Sequence, residues 1–262
     1  MTTENCDEFV FSEAAKKYFP DSDFANAPVV ELTAFVSCYN EGHIIQKTLN
    51  EVSGALIDCD LSFEIIVIDD GSNDNSREEI NHFVTEHSDL NIIVRYNIKN
   101  RGLAQNYVDS AFLGSGRFHK LFCGDNTEPR DSISRLLSHL GEADILIPFY
   151  TSVEGKAISR KILSRSYTLI INLISGHRIK YYNGLQVHLR NNILRWHPNT
   201  TGFGFQADIL CMLLDHNFSF KHVGISAQEV SASRALSIRN FLSVGHVIID
   251  LIIRRISKKV YY

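Results

Sequence analysis

Between residues 30 and 147, short apolar runs alternate with longer segments whose apolar residues recur at helical spacing. The apolar runs predict strands at Val30–Cys38, Phe63–Ile68, Asn91–Tyr96, Phe118–Cys123 and Asp144–Ile147. The segments between them predict helices at Glu41–Leu56, Arg77–His87, Leu103–Leu113 and Pro129–Leu140. Repeated strand–helix units of this kind favour an α/β fold, a doubly wound, mostly parallel sheet with helices on both faces.

The pattern is less regular on either side of this region. Residues 1–28 read as a polar arm with one helix near Phe9–Tyr18. Later spacing predicts a helix at Ser159–Ser175, a strand at Leu185–Arg190, a helix at Phe203–Asn217, a strand at Phe218–Val223 and a helix at Ile238–Ser257. We therefore expect an arm (1–28), a domain (29–236) and a C-terminal amphipathic helix (237–262).

The composition is that of a globular protein, and we expect no binding to nucleic acid. Of 262 residues, 44% are hydrophobic and 21% are charged, and the formal net charge of −4 provides no basic field. The five cysteines form no CxxC pair, so we expect reduced thiols in a cytoplasmic protein. We expect neither a signal peptide nor a transmembrane helix, which would need about 18 consecutive apolar residues.

Acidic and polar residues follow three of the predicted strands. They are Tyr39, Asn40 and Glu41 after the first strand, Asp69 and Asp70 after the second, and Gly124 and Asp125 after the fourth. Because open α/β sheets bind ligands at the carboxyl ends of their strands, we expect one shared site. For the Asp69–Asp70 pair alone, a strand-to-turn junction with solvated acids is the alternative.

These acids predict a nucleotide that binds together with a metal ion. Carboxylates repel a phosphorylated ligand, and a divalent cation between carboxylate and diphosphate removes that repulsion. Hard oxygen ligands suit Mg2+ or Mn2+. Asp125 is the candidate metal ligand, and its alternative role is to cap the helix that begins near Pro129.

Six segments resemble, in their order and spacing, the family 2 glycosyltransferases: Ser37–Glu41, Asp69–Ser76, Asn100–Ala104, Gly124–Asp125, Tyr182–Gln186 and Gly204–Asp208. The dolichyl-phosphate mannosyltransferase-like branch is the most similar. This resemblance implies a GT-A fold that transfers a sugar, with inversion, from a UDP- or GDP-linked donor.

The resemblance also implies roles for individual residues. Asp125 would ligate the metal, and Asp208 falls where the family has an acid near the acceptor. The residues implied to bind the nucleotide-sugar are Tyr39, Asn40, Glu41, Asp69, Asp70, Asn100, Leu103, Ala104, Gly124 and Arg234.

The chain departs from the family pattern before Tyr39, where Ser37-Cys38 lacks the usual proline, and, more seriously, in the metal motif. The usual metal motif is Asp-x-Asp, whereas this chain has Cys123-Gly124-Asp125. A thiol with a pKa of about 8.5 is mostly neutral and is a poor ligand for Mg2+. Three interpretations stay open: a weakly held metal assisted by Asn126, Thr127 or Glu128, metal-independent transfer, and a degenerate site.

The acceptor is expected to be a saccharide or a polyprenyl phosphate. A sugar hydroxyl needs a general base, because alcohols are not ionised near pH 7, and Asp208 is the candidate. Asp208 as an ordinary acid in the first turn of a helix is the alternative. A phosphate is already ionised and needs cations instead, for which the candidates are Arg160, Lys161, Arg165, Arg234 and Arg239.

The last predicted helix combines isoleucines with Arg254, Arg255, Lys258 and Lys259. This pattern suits an interfacial helix on the anionic inner face of a membrane. A helix that caps the domain or forms a dimer explains the pattern equally well. We therefore expect a cytoplasmic protein with peripheral membrane contact, and homo-oligomer formation stays open.

Two other enzyme classes are disfavoured by the loop after the first strand. A nicotinamide-dependent enzyme needs a glycine-rich turn there, and a nucleotidyltransferase needs a loop rich in glycine and basic residues. The chain has Tyr39-Asn40-Glu41-Gly42 instead. A non-catalytic module that binds a nucleotide-sugar or a protein partner is the remaining alternative, because of Cys123.

Overall fold

The computed structural model describes residues 8–11, 30–154, 158–197, 204–228 and 238–261. Its strands are β1 (Glu8–Phe11), β2 (Leu32–Cys38), β3 (Phe63–Asp69), β4 (Ile92–Tyr96), β5 (Phe118–Cys123), β6 (Ile145–Glu154), β7 (Val187–Leu189) and β8 (Phe220–Gln228). Its helices are α1 (Ile45–Asp58), α2 (Ser76–Glu86), α3 (Leu103–Leu113), α4 (Arg130–Leu137), α5 (Ile158–Ser175), α6 (Arg190–Leu194), α7 (Phe205–Asp215) and α8 (Ile238–Tyr261). Arg234, which is predicted to bind the nucleotide-sugar donor, lies outside the described residues.

The strands form one sheet in the order β1-β4-β3-β2-β5-β7-β6-β8. Strand β2 pairs in parallel with β3 and β5, β3 pairs in parallel with β4, and β6 pairs in parallel with β8. The pairs β1–β4, β5–β7 and β6–β7 are antiparallel. Helices pack against both faces, which confirms the predicted doubly wound, mostly parallel sheet.

Side chains along β2 point alternately into two apolar cores, because successive residues of a strand face opposite sides of the sheet. Phe35 lies in the core that α3, α5, α7 and α8 cover, whereas Ala34 and Val36 lie in the core that α1, α2 and α4 cover. Both faces of the central strands are therefore buried. This is why their sequences are mostly apolar rather than alternating between apolar and polar residues.

The start of the chain differs from the prediction. Glu8–Phe11 is a strand that pairs antiparallel with β4, so the helix predicted near Phe9–Tyr18 is wrong over residues 9–11. Phenylalanine and valine favour extended backbone, and pairing with β4 supplies long-range hydrogen bonds that local spacing does not reveal. The rest of that predicted helix lies outside the described residues.

Other differences lie at the ends of elements. The strand predicted at Leu185–Arg190 covers only Val187–Leu189, because Arg190 begins α6. The helix predicted from Glu41 begins at Ile45, after a turn in which the Glu41 carbonyl accepts a hydrogen bond from the Ile45 N–H at 2.8 Å. Strands β6 and β8 are longer than predicted because they pair with each other beyond their apolar segments.

The C-terminal helix packs against the rest of the fold. Val247 and Leu251 of α8 enter the same core as Tyr167 and Ile171 of α5. This is the capping arrangement that the sequence left open. None of the helices within the described ranges combines the length and apolar character that crossing a bilayer requires. The division of the chain into arm, domain and helix stays a prediction.

A buried ion pair joins β5 to the segment that follows it. Lys120 Nζ donates a hydrogen bond to Glu128 Oε2 at 2.7 Å and another to the Leu185 carbonyl at 3.0 Å. Lys120 is fully buried and Glu128 is 6% exposed. Burial raises the pKa of Glu128, and the Lys120 ammonium opposes that rise. The pair fixes the turn after β5 against the sheet.

We predict that Lys120→Met lowers the free energy of unfolding by about 3–5 kcal/mol, because Glu128 is left buried without its cation. Lys120→Met/Glu128→Leu should recover most of that loss, since both charges are removed from the core. Urea unfolding followed by circular dichroism measures both changes. Arg130→Met, which breaks the exposed pair between Arg130 and Asp58, is the control and should cost much less. Equal losses for the two single variants would contradict the prediction.

Candidate functional site

The loops predicted to form the site meet at the carboxyl edge of the sheet. Cys38 at the end of β2 lies opposite Asp69 at the end of β3. One residue further on, the backbone N–H of Asp70 donates to the Cys38 carbonyl, and that of Gly124 donates to the Ser37 carbonyl, both at 2.8 Å. The segments that follow β2, β3 and β5 are therefore neighbours.

Side-chain hydrogen bonds tie the loop after β2 to the loop after β3. Ser72 Oγ accepts from the backbone N–H of Asn40, and Asn40 Oδ1 accepts from the N–H of Asn73, both at 2.8 Å. Asp74 Oδ2 accepts from the N–H of Gly42 at 3.0 Å. Asn40 has a φ of 56°, in the left-handed region that asparagine tolerates better than most residues. Asn40 is predicted to bind the nucleotide-sugar donor, and in the structure its side chain supports the loop.

Asp69 and Asp70 are buried and hold loops in place. Asp69 accepts hydrogen bonds from the hydroxyl and the backbone N–H of Ser72, and burial raises its pKa. Asp70 Oδ1 accepts from the N–H of Arg101 at 2.8 Å, and Oδ2 accepts from the N–H of Gly102 at 3.0 Å. The two acids are only 4% and 6% exposed, so the alternative of a solvated junction is wrong.

The loop held by Asp70 leads directly into α3. At the start of this helix Asn100 is exposed, Leu103 is half-buried and Ala104 is fully buried in the core. The Ala104 side chain therefore supports the loop from inside, and Asn100 and Leu103 are the two of these predicted residues that reach the surface.

Asp125 lies on a tight turn directly after β5. Its Oδ1 accepts from the Thr127 hydroxyl at 2.6 Å. A Cβ at Gly124 would come within 2.6 Å of the Ser37 carbonyl oxygen, so the turn requires glycine there. Pro129 occupies the N-cap position of α4, which has no side-chain cap, so the alternative role of Asp125 as a helix cap is not observed. The half-buried Asp125 carboxylate is presented at the edge of the sheet.

The donor groups around Asp125 suit a hard cation that is held largely through its substrate. The side-chain oxygen of Asn126 is buried and has no hydrogen-bond partner. Burial and the nearby Asp125 and Glu128 carboxylates raise the pKa of the Cys123 thiol well above its ordinary value, so it stays neutral. Within the described residues, no three His, Cys, Asp or Glu side chains form a cluster that could hold a metal. Mg2+ commonly takes one or two protein carboxylates and completes its shell with phosphates and water, and Asp125 fits that pattern.

Asp208 is buried in the first turn of α7. Trp196 Nε1 donates to its Oδ2 at 2.8 Å, and Arg254 Nη2 lies 2.7 Å from its Oδ1, as an ion pair rather than an aligned hydrogen bond. The residue is 3% exposed, so it is not a surface acid of the helix. Each carboxylate oxygen thus has a close partner, and one partner comes from the C-terminal helix.

Sequence reasoning missed both partners of Asp208. Trp196 lies in the segment before α7, and Arg254 lies on α8, where the sequence suggested a membrane-facing role. The spacing of Val247 and Leu251 indicates that α8 buries one face. It does not indicate which acid that face meets.

The sequence matches one protein family over more than half of its length. The model of Glycosyl transferase family 2 matches residues 33–202. The chain belongs to glycosyl transferase family 2. The matched range contains the loops of Tyr39, Asp70 and Asp125, and it ends before Asp208.

Curated relatives of this family 2 chain are distant. It is 31% identical over 138 residues to the uncharacterized glycosyltransferase MG060 homolog of Mycoplasma pneumoniae, covering 51% of this chain and 44% of that protein. It is 24% identical over 196 residues to an undecaprenyl-phosphate 4-deoxy-4-formamido-L-arabinose transferase of Salmonella paratyphi A, covering 71% and 58%. The chain spans about half the length of the curated relatives it matches.

Solved structures share the fold. Glucosyl-3-phosphoglycerate synthase from Mycobacterium tuberculosis, in complex with Mn2+, UDP-glucose and phosphoglyceric acid, has a TM-score of 0.63 at 18% identity, over 93% of this chain and 82% of that one. The mannosyltransferase PcManGT from Pyrobaculum calidifontis, in complex with GDP-Man and Mn2+, has a TM-score of 0.60 at 16% identity, over 90% and 70%. These similarities confirm the predicted GT-A-type fold of the family 2 chain.

We predict that Asp70→Asn loosens the loop before α3, because asparagine offers one acceptor oxygen and no charge to the N–H groups of Arg101 and Gly102. Hydrogen exchange at residues 98–104 should rise about tenfold or more, since bonds to charged groups are worth about 1.5–3 kcal/mol. Asp74→Asn is the matched control, because Asp74 binds the Gly42 N–H in the neighbouring loop. Exchange that rises equally in both variants would contradict this role of Asp70.

Proposed function

We propose that this chain is an inverting, hexosyltransferase-type enzyme of the dolichyl-phosphate mannosyltransferase-like branch. It moves a sugar from a UDP- or GDP-linked donor to a saccharide or polyprenyl-phosphate acceptor, in glycan or surface polysaccharide assembly. The observation that carries the proposal is the Asp125 carboxylate on its glycine turn. It lies beside the rim of the site, by which we mean the loops that Asn40 and Asp70 hold in place by hydrogen bonds. Family membership supports the same chemistry.

The donor nucleotide is proposed to lie along this rim. Tyr39 and Glu41, both half-buried, and the loop held by Asp70 would contact the base and the ribose. Asp125 would hold Mg2+ or Mn2+, which when bound neutralises the charge of the leaving diphosphate. Relatives of the same fold, in complex with Mn2+ and UDP-glucose or GDP-Man, support this choice of metal and donor class.

The acceptor decides the role of Asp208. With a saccharide hydroxyl, Asp208 would act as the general base, and Trp196 and Arg254 would keep its carboxylate oriented. With a polyprenyl phosphate, no base is needed. The undecaprenyl-phosphate transferase among the relatives supports the second acceptor, which implies a cytoplasmic enzyme in peripheral contact with the membrane.

One observation favours a second candidate function. Cys123, whose thiol stays neutral, stands where an acid completes the usual metal motif. A non-catalytic module that binds a nucleotide-sugar or a protein partner would tolerate this change. Consumption of a UDP- or GDP-sugar with any acceptor, or with water, would exclude this second function.

We predict that Asp125→Asn weakens Mn2+-dependent binding of UDP or GDP by about tenfold or more, because the protein carboxylate on the cation is lost. Cys123→Asp should strengthen that binding, since it adds a second hard oxygen ligand. Calorimetric titrations with and without Mn2+ measure both effects. Asp131→Asn, at an exposed acid in the first turn of α4, is the control. Unchanged affinity in Asp125→Asn would remove Asp125 from the metal site.

We predict that Asp208→Asn keeps nucleotide binding but loses transfer to a hydroxyl acceptor by about 100-fold or more, as expected for loss of a general base. Transfer assays with hydroxyl and phosphate acceptors measure this. Asp215→Asn is the matched control, because Asp215 pairs with Arg255 of α8 at the other end of α7. Full activity of Asp208→Asn toward a hydroxyl acceptor would exclude Asp208 as the base.

A further inference from the structure

The outward faces of α5 and α8 carry most of the large apolar side chains that the described residues expose. Nine of thirteen such side chains belong to these two helices, with exposed fractions between 40% at Ile252 and 75% at Leu173. We call these nine residues the α5–α8 surface: Ile162, Leu163, Leu169, Ile170 and Leu173 of α5, and Ile249, Ile252, Ile253 and Ile256 of α8.

The two helices present this surface on the same side of the domain. Helices α5 and α8 contact each other, and Tyr167, Ile171, Val247 and Leu251 from their inner faces enter one apolar core. The exposed residues recur three, four and seven positions apart, which places them on the opposite face of each helix. Because both inner faces point into the same core, the two outer faces form one adjoining apolar strip.

Positive charge is concentrated on the same two helices. Together α5 and α8 contain eight lysine and arginine residues and one acid, Asp250, although the whole chain has a net charge of −4. Two of the eight, Arg254 and Arg255, pair with Asp208 and Asp215 of α7. Asp250 Oδ2 lies 3.3 Å from His246 Nε2 of the same helix. Lys161 and Arg165 of α5 are exposed next to the apolar residues. These two cations therefore border the apolar strip on the α5 side.

We propose that the α5–α8 surface binds the interface of a bilayer that contains anionic lipids, with both helices lying in the plane of the membrane. Apolar side chains on one face and cations beside them are what an interfacial helix needs. Each lysine or arginine near an anionic leaflet strengthens such binding by electrostatic attraction. A second copy of this chain is disfavoured as the occupant, because two such surfaces would bring like charges together. The predicted membrane contact of the C-terminal helix thereby becomes a two-helix surface that includes α5.

Docking in this orientation links the membrane to the acceptor side of the site. The inner side of α8 places Arg254 beside Asp208, while its outer side belongs to the α5–α8 surface. The arrangement favours an acceptor held at the bilayer surface, such as a polyprenyl phosphate. This consequence rests on the proposed function, whereas membrane binding itself does not.

Co-sedimentation with vesicles tests the proposal. The intact chain should bind phosphatidylcholine vesicles that contain phosphatidylglycerol about tenfold more tightly than pure phosphatidylcholine vesicles, and high salt should weaken that binding. Leu173→Glu/Ile253→Glu should reduce binding about tenfold or more, because two inserted side chains become charged. Ile57→Glu is the matched control, because Ile57 is 58% exposed on α1, which covers the opposite face of the sheet. Vesicle binding by the Ile57→Glu variant should not change.

Circular dichroism and thermal unfolding establish that the variants fold. Lys161→Glu/Arg165→Glu changes only exposed charges, and this variant should lose the preference for anionic vesicles. It keeps the proposal testable if Leu173→Glu/Ile253→Glu does not fold. Equal binding of the Ile57 and Leu173/Ile253 variants would overturn the proposal. A stable dimer in analytical ultracentrifugation, lost in Leu173→Glu/Ile253→Glu and accompanied by no vesicle binding, would assign the surface to a second copy and also overturn it. Transfer to a water-soluble acceptor without vesicles reports on the proposed function separately.

Discussion

The parallel pairing of β2 with β3 on one side and β5 on the other is the constraint on which the site depends. Parallel strands end at the same edge, so the loops with the chemically useful side chains leave the sheet next to one another. The N–H groups of Asp70 and Gly124 extend this alignment one residue past the strands. A register shift of one residue would turn each strand's side chains to the other face. The apolar residues that bury both faces of β2 therefore also fix where the acids lie.

The acids at this edge differ in burial, and the difference separates those that stabilise loops from the one that reaches the surface. Asp69 and Asp70 are enclosed, and backbone N–H groups compensate them, so their charge stabilises loops. Glu128 is enclosed as well, and Lys120 neutralises it. Asp125 differs because only a short turn supports it and its carboxylate is half-buried at the surface. A loop that is already rigid loses little further entropy when a ligand binds, which is the advantage of holding it with buried acids.

Local patterns predicted the parts of the fold that local forces determine. The bounds predicted for α3 and β5 agree with the structure, because glycine at positions 102 and 114 bounds the helix, and Phe118, Leu121 and Phe122 mark the strand. The acids were placed correctly at one edge. Which of them turn inward was not predictable, because that depends on N–H groups in a loop that follows another strand. Strand β1 and the contact between Arg254 and Asp208 were missed for the same reason: both join segments that are distant in sequence.

One turn of α8 carries both the arginines that pair with acids of α7 and isoleucines of the exposed α5–α8 surface. Arg254 and Arg255 reach inward to Asp208 and Asp215 at the two ends of α7, while Ile253 and Ile256 beside them face outward. A shift of α8 away from the domain would leave Asp208 buried without its cation, and breaking a buried pair costs several kcal/mol. The outer faces of α5 and α8 adjoin only while α8 is docked against α5, and the docked position also gives Asp208 its cation. A bilayer that binds both helices of the α5–α8 surface at once would therefore favour the conformation in which Asp208 is ordered.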